Sequence, residues 1–234
     1  MSKPDGNLSE TPTFTSDEYK SWALGCSAIL ASRNPLYNPH QFGMMPKDGI
    51  SARYIGTMLS NDWGVENRED LINTIHRMTN NGHSAQFAEA YALVSKKDFD
   101  PAASDLFGDD GSYMWPLTKT IGDKWGDKQI KAWDWFRMIH LAEWGYVAGY
   151  LDLQESYALM TPIIELLRST FTSWEEACNN YLDGYAWWSR TDVSEPDTEY
   201  QQRVDVYENI KDDKTLYNPT VWDPEGDSSQ SGAQ

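Results

Sequence analysis

This chain is expected to be all-α, a compact single-domain array of about eight or nine helices. Three observations predict this. Apolar residues recur at i, i+3, i+4 and i+7 through most of the sequence. The segments they mark open on N-terminal capping signals. No segment alternates convincingly enough to be a strand.

Thr15, followed by Ser16, Asp17 and Glu18, forms a capping box. It opens a helix with Tyr19, Trp22, Ala23, Cys26 and Leu30 on one stripe. Asn34-Pro35 and Asn38-Pro39 mark a loop. Ile50, Tyr54, Ile55, Met58 and Leu59 give a second, short helix. Asn67 caps a third, with Leu71, Ile72, Ile75 and Met78 inward, and Asn80-Asn81-Gly82 reads as its C-cap. A fourth helix is expected over 84–96, with Phe87 and Tyr91 on its apolar side. The stretch 98–126, with Pro101, Gly108, Gly111 and Pro116, reads as irregular.

The strongest block is a helix through WDWFRMIHLAEWGYVAGY, residues 133–150. Asp152 and Glu155 form a second capping box, ahead of Tyr157, Met160, Ile164 and Leu167. Pro162 should kink that helix unless it lies in its first turns. Ser173 and Glu176 form a third box, ahead of Cys178, Tyr181, Tyr185 and Trp188. A last helix is expected over 197–210. The expected division is therefore a flexible leader over 1–14, one helical domain over 15–211 and an acidic flexible tail over 212–234.

Hydrophobic residues make up 40% of the 234 and aromatics 13%, with 11 Trp and 13 Tyr, which a disordered chain would not carry. The formal net charge is −17, from 36 acidic and 19 basic residues. Such a field repels nucleic acid and anionic membranes, so neither is expected as a partner, and it attracts a basic one. Residues 191–234 hold 11 acidic side chains against three basic, Arg203, Lys211 and Lys214, either a solvated tail or a docking arm. Cys26 and Cys178 read as two buried free thiols, a disulfide or a catalytic thiol being the alternatives. The start of the sequence has no apolar signal region, and no run of 18 apolar residues occurs, so a cytoplasmic location is expected.

Asp134 and Arg137 stand three apart and share a helical face. With Trp133, Phe136 and Trp144 around them, they should be partly buried and paired. They are either an ion pair that fixes helix packing, or an acid/base group beside an arginine that holds an anion. Gly145 and Gly149 on the same helix suggest a second backbone passing closely. Among His40, His76, His83 and His140 there is no paired metal spacing, so no metal or cofactor is expected. His83 reads as a cap for the preceding helix or as a group bonded to a backbone carbonyl. The acidic run 105–111 lacks the alternating ligands of a calcium loop. No nucleophile elbow, dinucleotide fingerprint or phosphate-loop lysine occurs, so no catalytic residue is assigned. The many Trp either fill the core or leave some of Trp63, Trp115, Trp125, Trp187 and Trp188 exposed as a binding face.

Three segments carry a family resemblance. AWDWFRMIHLAEWGYVAGYLDLQESYAL (132–159), FTSWEEACNNYLDGYAWW (171–188) and WGVENREDLINTIHRMTNNGH (63–83) resemble, in order, the motifs of a bacterial domain-of-unknown-function family, DUF1266. Trp133, Asp134, Arg137, Gly145, Gly149, Trp174 and His83 match its motif positions, and Tyr185 departs, standing where Arg is more often expected. The resemblance implies a soluble bacterial helical protein and brings no activity. Charge, aromatic surplus and the lack of a catalytic constellation together favour a non-enzymatic protein-binding role. Its specific form is an immunity- or antitoxin-type partner of a basic effector. The alternative is a small-molecule binder or enzyme with a site around Asp134 and Arg137.

Overall fold

Six helices begin where a polar side chain just before them meets the free N–H groups of the first turn, and the computed structural model, which describes residues 13–222, places nine α-helices in all among those residues. They are α1 (Ser16–Arg33), α2 (Gly49–Trp63), α3 (Arg68–Asn81), α4 (His83–Val94), α5 (Gly111–Trp125), α6 (Lys131–Ala148), α7 (Leu153–Thr170), α8 (Trp174–Trp188) and α9 (Glu199–Ile210). No strand occurs among the described residues.

The boxes at Thr15–Glu18 and Asp152–Glu155 are both complete. The third is half formed. Ser173 Oγ accepts from the Glu176 N–H, but the Glu176 carboxylate turns to the Thr172 N–H and the Lys128 ammonium instead. Pro162, expected to kink α7, lies within it, and the helix continues to Thr170. The buried face of Tyr157, Met160, Ile163, Ile164 and Leu167 holds the helix where one backbone hydrogen bond is missing.

The centre of the molecule is α6, with 14 of its 18 residues buried, which is why its apolar residues run around the whole cylinder. It packs against α1, α2, α3, α4, α7 and α8. The two glycines near its end have separate reasons, and neither faces another backbone. A Cβ on Gly145 would sit 2.2 Å from the Leu71 side chain and 2.9 Å from that of Leu151. Gly149 ends the helix in the left-handed region at φ +84°.

The stretch 98–126 is half helical rather than irregular. Helix α5 carries Pro116 internally, and it is held by one buried face of Met114, Trp115, Thr118, Ile121 and Gly122. Phe99 and Phe107 each pack edge-on to Trp115 at 4.6 Å between centroids. The acidic segment expected as a tail from 212 likewise packs onto the core as far as 222. Leu216, Tyr217 and Val221 are buried, and Trp222 sits against Trp22 and Trp174. Its acidic residues do not prevent this, because Asp213 turns outward to cap the local turn through the Thr215 N–H and hydroxyl. The rest of that expected tail, 223–234, and residues 1–12 of the expected leader lie outside the described residues. Phe14, also assigned to the leader, is buried.

Cys26 and Cys178 are buried and free, as expected. Burial raises both thiols, Cys178 to about 12, so neither offers a thiolate at neutral pH. No helix among the described residues is long and apolar enough to cross a membrane.

Candidate functional site

Helix α4 starts at His83 with no side-chain cap of its own, because the residue before it is Gly82. Its cap comes from α6. Asp134 is 3% exposed, and its two carboxylate oxygens accept from the His83 N–H at 3.1 Å and the Ser84 N–H at 2.7 Å. Gly82 is not the left-handed stop that the Asn-Asn-Gly sequence suggests; its φ is −71°. Glycine is needed for space, since a Cβ there would lie 2.3 Å from Asp134 Oδ2. The same device starts α6, where Asn180 of α8 accepts from the Ala132 N–H at 2.9 Å and donates to the Gln129 carbonyl. One helix therefore caps the next, from α8 to α6 and from α6 to α4. This charge sits on unmet backbone donors, an arrangement typically worth about 1 kcal/mol.

Arg137, one turn on from Asp134, holds its Nη1 3.8 Å from Asp134 Oδ1 and 3.0 Å from His83 Nδ1. Its guanidinium lies over the rings of Trp133 at 4.7 Å, Trp63 at 4.8 Å and Trp188 at 5.8 Å. Burial lowers its pKa and the Asp134 charge opposes that shift. Because a guanidinium only donates, His83 Nδ1 must accept, which leaves the imidazole proton on Nε2. His83 thus begins α4 with its backbone and meets Arg137 with its ring; it does not cap α3.

Beside this group lies a cleft of about 430 Å³, with His83, Glu89, Leu106, Phe107, Trp188 and Arg190 among its lining. Asp134 and Arg137 are not part of the lining; they face each other and the elements they hold. Trp188 is 44% exposed and Leu106 48%. Of the five Trp considered for a binding face, Trp115 and Trp187 are buried, Trp63 and Trp125 half-buried, and Trp188 alone exposed. Arg190 adopts φ +52°, a strained conformation for a residue with a side chain, and pairs with Asp110 at 3.6 Å.

Trp133 belongs to this site as a wall of the Arg137 cage. Trp174 does not. It packs with Trp22, Tyr217 and Trp222, and its Nε1–H donates to the Asn218 carbonyl at 2.8 Å. Its role is to hold the segment after α9 against α1.

Two further ionisable groups on α6 escaped the sequence reading. Glu143 is fully buried, accepts from the Gly43 N–H at 2.9 Å and shares a 2.5 Å hydrogen bond with Ser27 Oγ. Burial pushes its carboxyl up to about 8, against the two hydrogen bonds. His140 lies 3.1 Å from the Cys26 carbonyl, and burial pulls its pKa down to about 4. The three-residue step from Asp134 through Arg137 and His140 to Glu143 is visible in the sequence, but it drifts by about 60° per step and puts Glu143 on the side of α6 opposite Asp134, so it does not mark one face. No cluster of three His, Cys, Asp or Glu side chains with metal-ligand placement occurs among the described residues.

Two proteins of Escherichia coli (strain K12) are similar to this chain. One is the uncharacterized protein YbeR, 29% identical over 150 residues, or 62% of this chain and 63% of that protein. The other is the uncharacterized protein YbeU, 27% identical over 170 residues, or 70% of this chain and 72% of that protein. The match to YbeR thus spans less than two thirds of its length. No solved structure matches the chain. The family model described as a protein of unknown function, DUF1266, matches residues 58–222, which takes in the Asp134–Arg137–His83 group and the cleft beside it. The chain belongs to the DUF1266 family.

Proposed function

We propose that this chain is a non-enzymatic protein-binding protein whose partner is a basic protein, received at the cleft beside His83 and Trp188. In its specific form the reading is of an immunity- or antitoxin-type partner that neutralises a basic effector in the cytoplasm. The observation that carries it is a juxtaposition. The exposed apolar side chains of Trp188 and Leu106 open beside segment 98–110, which holds five Asp and no basic residue. An exposed aromatic anchor beside an acidic segment suits a basic protein surface. The −17 net charge adds long-range attraction, which speeds encounter. The buried, protonated thiols suit a reducing compartment.

The second reading is a small-molecule site or enzyme around Asp134 and Arg137. Its support is His83, which lines the cleft with its proton on Nε2. Against it, Asp134 is fully engaged by backbone donors and Arg137 by three Trp rings.

The test is an affinity pull-down with the full chain at low and high salt, repeated with Trp188→Ala and with Asp105, Asp109 and Asp110 changed to Asn. One stoichiometric basic protein, retained by the parent and lost by both folded variants, is the expected result. Capture unchanged by both variants would remove the cleft from the reading. No partner at either salt would overturn it in favour of the second reading.

A further inference from the structure

The end of α1 and the middle of α9 meet over a pocket of about 190 Å³ lined by Leu30, Arg33, Asn34, Pro35 and Arg203. Two guanidinium groups face it. Arg33 Nη2 donates to Gln202 Oε1 at 2.7 Å and lies 3.4 Å from Glu199 Oε1. The Arg203 guanidinium carbon lies 4.1 Å from the centre of the Tyr185 ring. Three donors are left over. Arg33 Nε, Arg203 Nε and Arg203 Nη1 are buried and meet no acceptor among the described residues.

Buried donors without acceptors are rare, and those on a charged group are the most costly to leave unmet. Glu199 pairs with Arg33 and acts on Arg203 only as a more distant charge, and its Oε2 already accepts from the Tyr185 hydroxyl at 2.8 Å. The pocket therefore carries an excess of one positive charge in a chain whose net charge is −17. A water molecule could accept from one donor but would leave that charge uncompensated. An anion with several acceptor oxygens meets both needs, and guanidinium groups present matched pairs of N–H to such oxygens. The volume admits a phosphate or a small carboxylate and excludes a nucleotide.

We propose that this pocket is a binding site for a small oxyanion, a phosphate or a carboxylate, which bridges Arg33 and Arg203 and ties α9 to α1. It is separate from the cleft at Trp188 and does not depend on that reading.

The experiment titrates the full chain with inorganic phosphate and, separately, with acetate. Ionic strength is held constant with chloride, and thermal unfolding and calorimetry provide the readout. The expected result is saturable one-to-one binding by at least one of the two anions. Arg203→Gln should weaken it about tenfold or more. Arg33→Lys, which keeps the charge but loses the fork, should weaken it less. The anion that saturates at the lower concentration identifies the source. Should Arg203→Gln fail to fold, Arg33→Gln carries the same test, because the Arg33 side chain is 27% exposed. Equal stabilisation by chloride, or binding that both Gln variants leave unchanged, would overturn the proposal.

Discussion

Replacing Glu143 by Gln should stabilise this protein, and the gain should grow with pH. The carboxyl is fully buried, and its pKa rises from an ordinary 4.5 to about 8. At neutral pH the folded protein therefore holds a proton that the unfolded chain has released. Its Oε1 accepts from the Gly43 N–H and its Oε2 from the Ser27 hydroxyl. Glutamine keeps the Gly43 bond and can pair its amide with the Ser27 hydroxyl, which both donates and accepts, with no proton to bind. Because the folded pKa is raised, Glu143's contribution is complete below about 4.5 and is lost as pH rises through about 8. At 1.36 kcal/mol per unit, the penalty is about 1 kcal/mol at pH 5, about 3 at pH 7 and close to 5 above pH 8.5. Urea unfolding of parent and Glu143→Gln at these three pH values measures the difference directly. Curves separated by a constant amount at all three would refute the reasoning. So would a glutamine variant less stable throughout, which would mean that the Ser27 and Gly43 contacts need the acid.

Asp134→Ala should cost about 3–5 kcal/mol, because it leaves the His83 and Ser84 N–H groups unmet and Arg137 buried without its carboxylate; Asp134→Asn should cost less, and hydrogen exchange at residues 83 and 84 would speed up in both. Gly82→Ala should destabilise by about 1–3 kcal/mol in urea unfolding, since its Cβ would meet Asp134 Oδ2 at 2.3 Å. His140 should stay neutral in a proton NMR titration down to about pH 4. Its folded pKa is depressed, so its contribution is present above 6.5 and lost as pH falls through about 4, and His140→Gln should flatten that acid limb.

The sequence by itself determined most of the helices, because their signals are local. Thr15, Asn67, Asp152 and Ser173 each begin a helix within one residue of where the capping pattern puts it. The burial of the Asp134–Arg137 pair was also legible, since charges among so many aromatics have to be paired. The tertiary structure decided what those charges do. Asp134 caps a helix whose first residue is 51 positions earlier in the chain, and Asn180 caps α6 from 48 positions later, separations that no capping pattern covers. Helix α5 and the segment 212–222 were masked in the same way. Gly, Pro and Asp are read as breaks by their local conformational cost, yet the burial of Trp115 between Phe99 and Phe107, and of Leu216, Tyr217 and Val221, outweighs that cost. Which Trp stays exposed was likewise not in the sequence. Trp187 and Trp188 are neighbours with the same chemistry, and only the packing of α8 against Phe87 and Phe107 buries the first and leaves the second open to the cleft.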